Sequence, residues 1–364
     1  MWEIEEGSGA LTSEILKARY LREGEKDWED ICERVARAIA TTEEEYLEFK
    51  DLMVRKISLP SSPTLMNAGT EAGQLAACFV IPVEEDIEKI FDSVKTAALI
   101  QKTGGGTGFN FSKISPDGSP GPGEDWVSSG PLAVMRLFNE ATDVTKQFGR
   151  RRGANMGILD VSHNDILSFI RAKYVEGEFE NFNISVMVPD AFMQLIETNR
   201  ADEVWNRQTG VTAGRIFSEI VESIWKNGEP GILFYDRINR DNFTPALGKI
   251  SATNPCGEEP LLPFESCNLG SINLFLLVTE GKVNWDMLRE VTGKAVRFLD
   301  NEIDKTTYPT QEIEIATKKT RKIGLGVMGF HDMLLKLGIP YDSSEAMELA
   351  EKLMEQINWA AVRE

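Results

Sequence analysis

Apolar residues recur with helical spacing through the first 56 residues of the chain. The pattern predicts helices at 13–23 (capped by Thr12), at 27–40, and from residue 41 onward with a threonine cap and an acidic first turn. Cys32 lies on the apolar face of the second helix, so we expect it to be a small buried core residue. Residues 1–56 are therefore predicted to form an N-terminal helical region.

From residue 57 the pattern changes to short apolar stretches separated by amphipathic helices and glycine-rich turns. Strands are predicted at 76–81, 109–111, 157–161, 183–188, 231–235, 271–274 and 323–327. Helices are predicted at 86–103, 131–147, 189–198, 214–226, 284–303 and 342–362. Strands that alternate with helices are typical of an α/β fold with a mainly parallel sheet or barrel. We find no repeat or linker in this part, so we predict one main domain at 57–364.

The formal net charge of −19 limits the choice of partners. An acidic surface repels nucleic acid, so a phosphate-bearing ligand would have to be held locally. The dense basic cluster Arg150, Arg151 and Arg152, with Lys146 upstream, is either such a place or an ordinary solvated face. The chain lacks the apolar run of a membrane span and the basic start of a signal peptide, so we expect a cytoplasmic protein.

The chain has 4 cysteines and 2 histidines. No CxxC pair occurs and the histidines are distant from the cysteines in sequence, so we expect neither a disulfide scaffold nor a zinc site. With so few histidines, a histidine-based hydrolase or dehydrogenase is poorly supported. If the chain is an enzyme, thiols and carboxylates must carry most of its chemistry.

Residues 253–259 (TNPCGEE) bring a carboxamide, a thiol and a carboxylate together. Pro255 disfavours helix at the preceding residue, and Gly257 allows a sharp turn. In an extended or looped finger, Asn254, Cys256 and Glu258 would alternate and point the same way. A second thiol follows in ESCNLG at 265–270. The alternative is an ordinary loop with a solvated glutamate and a buried cysteine.

Two further segments are ambiguous on their own. The glycine-rich run GGGTG at 104–108 could let a ligand approach the backbone, or it could be a tight turn. It is neither GxGxxG nor a phosphate-binding loop that ends in Lys-Ser/Thr. The hydroxyls of SSPT at 61–64 could hold a phosphate, or the segment could be a plain turn.

Taken together, several segments resemble the large catalytic subunit of ribonucleotide reductase. They are SSPTLMNAG (61–69), ACF (77–79), TGGGTGFN (103–110), RRGANMG (151–157), NPCGE (254–258), SCNLGSIN (266–273), LDNEID (299–304) and RKIGLGVMGFHD (321–332). They occur in the family's order across roughly residues 57–335. The details most resemble class II, which uses adenosylcobalamin. The second possibility is class I, whose radical comes from a separate metal-containing subunit.

The resemblance implies a ten-stranded α/β barrel of two halves, with a finger loop that carries the key thiol. By this resemblance Cys256 becomes a transient thiyl radical that takes the 3′-hydrogen of a ribonucleotide. Glu258 would accept the 3′-hydroxyl proton, and Asn254 would orient the substrate hydroxyls. Cys78 and Cys267 match the reducing pair, which ends each turnover as a disulfide and needs a thioredoxin-like or dithiol reductant.

Substrate contacts carry over to several residues of these motifs. They are Thr64, Ala77, Cys78, Gly106, Asn254, Cys256 and Glu258. The loop that contains Arg150, Arg151 and Arg152 matches the family's specificity loop. A deoxynucleotide or ATP effector would bind near Glu85, Asp86 and Lys113, at a homodimer interface built by helices 86–103 and 131–147. The leading 56 residues leave no room for an ATP-cone, so we predict no overall activity switch.

The family's chains continue through a second barrel half, a phosphate-binding loop and a C-terminal cysteine pair. We therefore expect residues 57–364 to be a catalytic barrel whose C-terminal part is missing, completed by a complementary chain. One alternative is a glycyl-radical relative of the same barrel superfamily. Another is an inactive or accessory fragment that binds nucleotides. The sequence leaves open whether di- or triphosphates are reduced.

Overall fold

The computed structural model describes residues 6–121, 127–145 and 153–364, with side chains of the first helix from residue 11. The helices are α1 (Glu6–Ile15), α2 (Trp28–Ile39), α3 (Glu43–Val54), α4 (Ser62–Asn67), α5 (Ile87–Lys102), α6 (Gly130–Thr145), α7 (Ile166–Ile170), α8 (Asp190–Glu197), α9 (Ala213–Asn227), α10 (Tyr235–Arg240), α11 (Trp285–Lys305), α12 (Gln311–Thr320), α13 (Phe330–Leu337) and α14 (Ser344–Arg363). The strands are β1 (Ser58–Pro60), β2 (Cys78–Val80), β3 (Gly106–Asn110), β4 (Asn155–Asp160), β5 (Phe182–Val188), β6 (Val204–Asn206), β7 (Val211–Thr212), β8 (Gly231–Phe234), β9 (Ala252–Thr253), β10 (Pro260–Leu261), β11 (Ser266–Asn273), β12 (Val278–Thr279), β13 (Lys282–Val283) and β14 (Ile323–Met328). A π-helical turn follows α1 at Leu16–Tyr20, and 3-10 turns lie at Pro245–Leu247 and Leu274–Leu277.

The chain divides into two compact units. The first unit comprises the residues up to 77 together with 267–308 and 321–364. The second unit comprises 78–266 and 309–320. The boundary predicted at residue 56 remains a prediction.

The first unit packs helices around a short sheet. Strand β11 pairs antiparallel with β1 and parallel with β14. Asp27 is the N-cap of α2 and accepts from the first-turn amides, and Thr42 is the N-cap of α3 and accepts from the amide of Glu45 through its hydroxyl. The apolar faces of these helices meet α11, where the rings of Phe49 and Phe298 make an edge-to-face contact at 5.0 Å.

The second unit is built on a parallel sheet with the strand order β2-β3-β4-β5-β8. Helix α5 connects β2 with β3, and α6 connects β3 with β4, so the strands follow the strand–helix–strand pattern that parallel pairing requires. The core on one side of this sheet is aromatic. Phe109 of β3 lies 4.5 Å from Phe138 of α6, with Phe111 and Phe182 beside them.

The predicted α/β fold is confirmed, and most predicted elements lie within a few residues of their expected positions. The first predicted helix is wrong in its start, because α1 already runs through Thr12, which is therefore not a cap. Strand β3 begins at Gly106, so part of the glycine-rich run is strand rather than turn. Strand β11 is longer than the predicted 271–274, and α12 and α13 were not predicted.

No helix within the described residues is both long enough and apolar enough to cross a membrane.

Candidate active site

The segment around Cys256 forms the tip of a short β-hairpin in the second unit, between the antiparallel strands β9 and β10. The amide of Gly257 donates to the carbonyl oxygen of Asn254 at 3.2 Å, and the amide of Asn254 donates to the carbonyl oxygen of Glu259 at 3.2 Å. Gly257 has a φ of 88°, a conformation that favours glycine. The NPCGE sequence therefore makes a tight reversal with its thiol at the tip.

Two glycines of β3 make room for this hairpin. A Cβ added to Gly108 would lie 1.6 Å from the carbonyl oxygen of Thr253, and one added to Gly106 would lie 2.6 Å from Cγ of Pro255. Both distances are far below van der Waals contact, so a side chain at either position would displace the hairpin. The glycines thus serve the close packing of strand and hairpin, which differs from both the ligand approach and the tight turn predicted for this segment.

Two asparagines hold the hairpin to the sheet. Nδ2 of Asn110, at the end of β3, donates to the carbonyl oxygen of Ser251 at 2.6 Å. Nδ2 of Asn183, in β5, donates to the carbonyl oxygen of Pro255 at 2.7 Å. Because one bond lies at the base of the hairpin and the other at its tip, the position of Cys256 is fixed from both ends.

The side chain of Asn254 connects the hairpin with Cys78. Nδ2 donates to Sγ of Cys78 at 3.0 Å, and Oδ1 accepts from the amide of Glu259 at 3.0 Å. Asn254 is buried, whereas Cys256 and Glu258 are exposed. The expectation that these three residues alternate on one side of the segment is therefore wrong, because residues 254–257 turn instead of extending.

Cys78 lies in β2, opposite Gly106 of β3, and is only 3% exposed. Burial raises the pKa of its thiol well above the ordinary value, and the negative charges of Glu258 and Glu259 raise it further. The hydrogen bond from Asn254 acts in the opposite direction and is smaller than the effect of burial. At neutral pH Cys78 is therefore a thiol and not a thiolate.

The first unit contains Cys267 and two of the predicted substrate contacts. Cys267, in β11, is fully buried, and its Sγ donates to the carbonyl oxygen of Asn268 at 3.3 Å. The amide of Ala77 donates to the carbonyl oxygen of Cys267 at 3.0 Å. Thr64, in α4, is also fully buried, with its hydroxyl 3.4 Å from the carbonyl oxygen of Leu75.

The predicted effector residues lie around the start of α5. Asp86 caps this helix by accepting from the amide of Lys89 at 3.0 Å. Glu85 accepts from the amide and the hydroxyl of Ser115 at 2.9 Å and 2.5 Å. Lys113 forms a long ion pair of 3.7 Å with Glu84. Arg150, Arg151 and Arg152 lie outside the described residues.

A groove of about 270 Å³ runs beside Glu85 between α5 and α6. Its walls include Ile87, Ile90 and Leu137. Ile87 is 50% exposed and Leu137 is 40% exposed, so the facing sides of the two helices are apolar and accessible.

Comparison with known families accounts for nearly the whole chain. Residues 76–364 match the family model described as ribonucleotide reductase, barrel domain. Residues 8–73 match the model described as ribonucleotide reductase, all-alpha domain. The chain belongs to the ribonucleotide reductase family.

Three relatives illustrate the range of similarity. A vitamin B12-dependent ribonucleoside-diphosphate reductase of Mycobacterium tuberculosis is 45% identical over 367 residues, which cover 95% of this chain and 53% of that protein. A reductase of the same name from Thermoplasma acidophilum is 50% identical over 317 residues, 85% of this chain and 41% of that protein. The ribonucleoside-diphosphate reductase large subunit of Vaccinia virus is 32% identical over 355 residues, 87% of this chain and 46% of that protein.

The chain spans about half the length of the curated relatives that it matches. Membership of the reductase family confirms the resemblance drawn from the motifs. It also confirms the fold class, because the matched models are a barrel domain and an all-alpha domain. The roles of the individual residues remain predictions.

Sequence reasoning missed three residues that the structure brings into or beside the reductase motifs. Asn110 and Asn183 hold the hairpin, and they are the last residue of β3 and the second residue of β5. Glu302 is fully buried in α11. A signal for it was available, because it lies three and four residues after the apolar Leu299 and Phe298, on the same helix face.

The remaining thiol is structural. Cys32 lies in the core of the first unit with no exposed surface, as predicted, and burial raises its pKa to about 12. All four cysteines, which are within the described ranges, are thiols rather than disulfides. Across residues 6–121, 127–145 and 153–364, no three His, Cys, Asp or Glu side chains form a group that could hold a metal ion.

Proposed function

We propose that this chain carries the thiol chemistry of an adenosylcobalamin-dependent ribonucleotide reductase, which makes 2′-deoxyribonucleotides for DNA synthesis. The main support is the hairpin tip, where an exposed Cys256 stands beside an amide, Asn254, that is bonded to the buried Cys78. The names of the relatives support the same reaction. Di- and triphosphates remain alternative substrates.

In the proposed reaction Cys256 starts the chemistry. As a thiyl radical it takes the 3′-hydrogen atom of the ribose, so that an S–H bond forms and a C3′–H bond breaks. Its exposure at a tip fixed by Asn110 and Asn183 supports this role, because a hydrogen atom moves only over a short, defined distance. At the end of the cycle the same hydrogen atom returns to C3′.

Glu258 and Asn254 would handle the hydroxyl groups. Glu258 is exposed two residues after Cys256, and in the proposal it takes the 3′-hydroxyl proton while the 2′-hydroxyl leaves as water. Asn254 uses one N–H of Nδ2 for Cys78. The second N–H of that amide is available to orient a substrate hydroxyl.

Cys78 and Cys267 would supply the electrons. Two thiols give two electrons and two protons, become a disulfide, and replace the C2′–O bond with C2′–H as one water molecule is released. The pairing itself rests on the family resemblance. Burial keeps Cys78 protonated, which suits a residue that must give both a proton and an electron. A dithiol or a thioredoxin-like protein would reduce the disulfide again.

The exposure of the four thiols indicates which of them adenosylcobalamin could reach. Cys256 is exposed, whereas Cys32, Cys78 and Cys267 are buried, so Cys256 is the thiol that a large cofactor can approach. When bound, the cofactor supplies the radical that removes the hydrogen atom from this thiol. Cys256 is the residue that would meet it.

We also propose that α5 and α6 form a homodimer contact with a deoxynucleotide or ATP effector beside it. The support is the apolar groove between the helices, together with the exposed Phe91 and Leu99 of α5. Helices that pair across a two-fold axis present such faces to each other. Lys113, which is 70% exposed, is the cation that the family resemblance assigns to an effector phosphate. We further propose that the protein is located in the cytoplasm.

The decisive experiment is substrate-dependent cleavage of adenosylcobalamin by the protein in full, with a dithiol present. We expect deoxynucleotide formation and a cobalt(II)–thiyl signal in electron paramagnetic resonance, both lost in Cys256→Ala. A requirement for a separate metal-containing subunit would favour class I. Nucleotide binding without turnover would favour an accessory role.

A further inference from the structure

Glu302 is a carboxyl group in an unusual place. It lies in α11 with no exposed surface, and it packs in the first unit beside Asn268 of β11 and Thr64 of α4. None of these neighbours is charged. The nearest charged residues along α11, Asp300 and Asp304, are paired with Arg321. No cation among the described residues is paired with Glu302, so an ionised carboxylate at this place would be uncompensated.

The second unit contains an instructive contrast in Glu219. This side chain is almost equally buried, at 2% exposed. Its Oε2 lies 2.6 Å from Nη2 of Arg171 and 2.9 Å from Nη2 of Arg215. Within the part of the chain that the structure describes, one buried glutamate is thus paired with two arginines and the other with no cation.

The hydrogen bonds around Glu302 have a definite direction. Nδ2 of Asn268 donates to Oε2 of Glu302 at 2.9 Å and to the carbonyl oxygen of Leu299 at 2.6 Å. Oε1 of Glu302 accepts no hydrogen bond from any described residue. Since Oε2 is an acceptor, a proton on the carboxyl would sit on Oε1, where it can be donated to the nearby hydroxyl of Thr64.

We infer that Glu302 is a positioning residue whose neutral carboxylic acid fixes the side chains of Asn268 and Thr64. Asn268 directly follows Cys267, and its carbonyl oxygen accepts from Sγ of that thiol at 3.3 Å. Thr64 is one of the predicted substrate contacts. A single buried acid would thus position Asn268, which contacts the proposed reducing thiol, and Thr64, which belongs to the proposed substrate site.

The energetics agree with this geometry. Burial raises the pKa of Glu302 to about 8, and the hydrogen bond that Asn268 donates to the carboxyl opposes this rise without cancelling it. At neutral pH the acid is therefore mostly protonated. Above pH 8 it ionises, the donated proton is lost, and the arrangement of Thr64 changes.

The role in turnover rests on the proposed function, but the protonation state can be tested without any activity. Infrared spectroscopy of the protein in full at neutral pH should detect the carbonyl stretch of a protonated carboxylic acid. We expect this band to disappear in Glu302→Gln and to persist in the matched control Glu219→Gln. Absence of the band in the unsubstituted protein, or its persistence in Glu302→Gln, would overturn the inference whether or not the protein reduces ribonucleotides.

Turnover separates positioning from simple space filling. Glutamine can accept from Asn268 and donate to Thr64, so Glu302→Gln should keep kcat within about threefold. The unsubstituted enzyme should lose activity as the pH passes about 8, and Glu302→Gln should not show this loss. Glu302→Leu fills similar space without hydrogen bonds, and its kcat should fall about tenfold or more.

A double-mutant cycle provides a last check. Thr64→Val removes only the hydroxyl, so combining it with Glu302→Leu should cost less than the product of the two separate losses. Independent effects, equal losses in the Gln and Leu variants, or full activity of Glu302→Leu would each contradict the positioning role. If Glu302→Leu does not fold, the pH profile of Glu302→Gln and the infrared band still test whether Glu302 is a neutral positioning acid.

Discussion

The amide of Asn254 donates to Sγ of Cys78 at 3.0 Å and so connects the tip of the hairpin to the first strand of the parallel sheet. The same side chain accepts from the amide of Glu259 and closes the turn. Since the buried side-chain amide of Asn254 makes both hydrogen bonds, the position of the Cys78 thiol and the shape of the turn are coupled. The role of Asn254 is therefore larger than contact with a substrate.

Asn254→Ala removes both hydrogen bonds in a buried place. We expect the free energy of unfolding to fall by about 1–3 kcal/mol, because the amide of Glu259 loses its acceptor. Turnover should fall about tenfold or more, since the turn that carries Cys256 loosens. Denaturant unfolding and steady-state kinetics measure the two effects. The exposed Gln208, whose side chain accepts from Asn164, supplies the control Gln208→Ala, expected to change neither.

Gly108→Ala should displace the hairpin. The added methyl carbon would lie 1.6 Å from the carbonyl oxygen of Thr253, so strand β3 or the hairpin must move. We expect a loss of about 2 kcal/mol or more in stability, together with loss of turnover. Gly326→Ala in β14 is the control, because its nearest contact is an ordinary 3.6 Å to Oγ of Ser271. Equal melting temperatures for the two variants would refute the close-packing argument.

Much of the fold follows from sequence periodicity. Helix α9 was predicted at 214–226 and occurs at Ala213–Asn227, because its apolar spacing, its Thr212 cap and its terminal Gly228 all agree. Helix α13 was missed because its N-cap is Gly329, which has no polar side chain to mark the start of the helix. Local signals therefore identified a capped helix such as α9 and failed for α13, which lacks a polar N-cap.

The candidate site was only partly readable from the sequence. Motif order identified Cys256, but the fixing of its hairpin depends on Asn110 and Asn183, which are 141 and 72 residues distant in sequence from their acceptors. Local periodicity carries no information on such pairings. The same reason explains why Gly106 and Gly108 were considered as turn or ligand-binding residues instead of packing positions.

Asn183→Ala should affect catalysis more than binding. Its amide holds the carbonyl oxygen of Pro255, directly before Cys256, at 2.7 Å. Without this bond the thiol samples more positions, so kcat should fall several-fold, by about 1 kcal/mol of barrier, while KM changes little. Steady-state kinetics separate the two parameters. A rise in KM at constant kcat would instead make Asn183 a binding residue.

Glu219→Gln should destabilise the second unit in a pH-dependent way. Hydrogen bonding to Arg171 lowers the pKa of Glu219 in the folded state. Because the pKa of Glu219 is lower in the folded state than in the unfolded state, its ionised form stabilises the fold at pH values above the unfolded pKa. This stabilisation is lost as the pH falls through the folded pKa. The variant should therefore be about 1–2 kcal/mol less stable at pH 7 and should approach the unsubstituted protein in acid. Thermal melts across acidic pH test this.

Glu302 should have the opposite dependence. Its folded pKa is raised from 4.5 to about 8, so between these values the folded chain keeps a proton that the unfolded chain has released. The stabilisation by the protonated Glu302 is fully present below the pKa of the unfolded state. It is lost as the pH rises through the pKa of the folded state. Relative to Glu302→Gln, which does not titrate, the unsubstituted protein should lose at most about 1.4 kcal/mol per pH unit over that window. Melting temperatures of the two proteins at several pH values measure the difference. A constant difference from pH 5 to pH 8 would mean that Glu302 has the same charge in both states, and the neutral acid would be refuted.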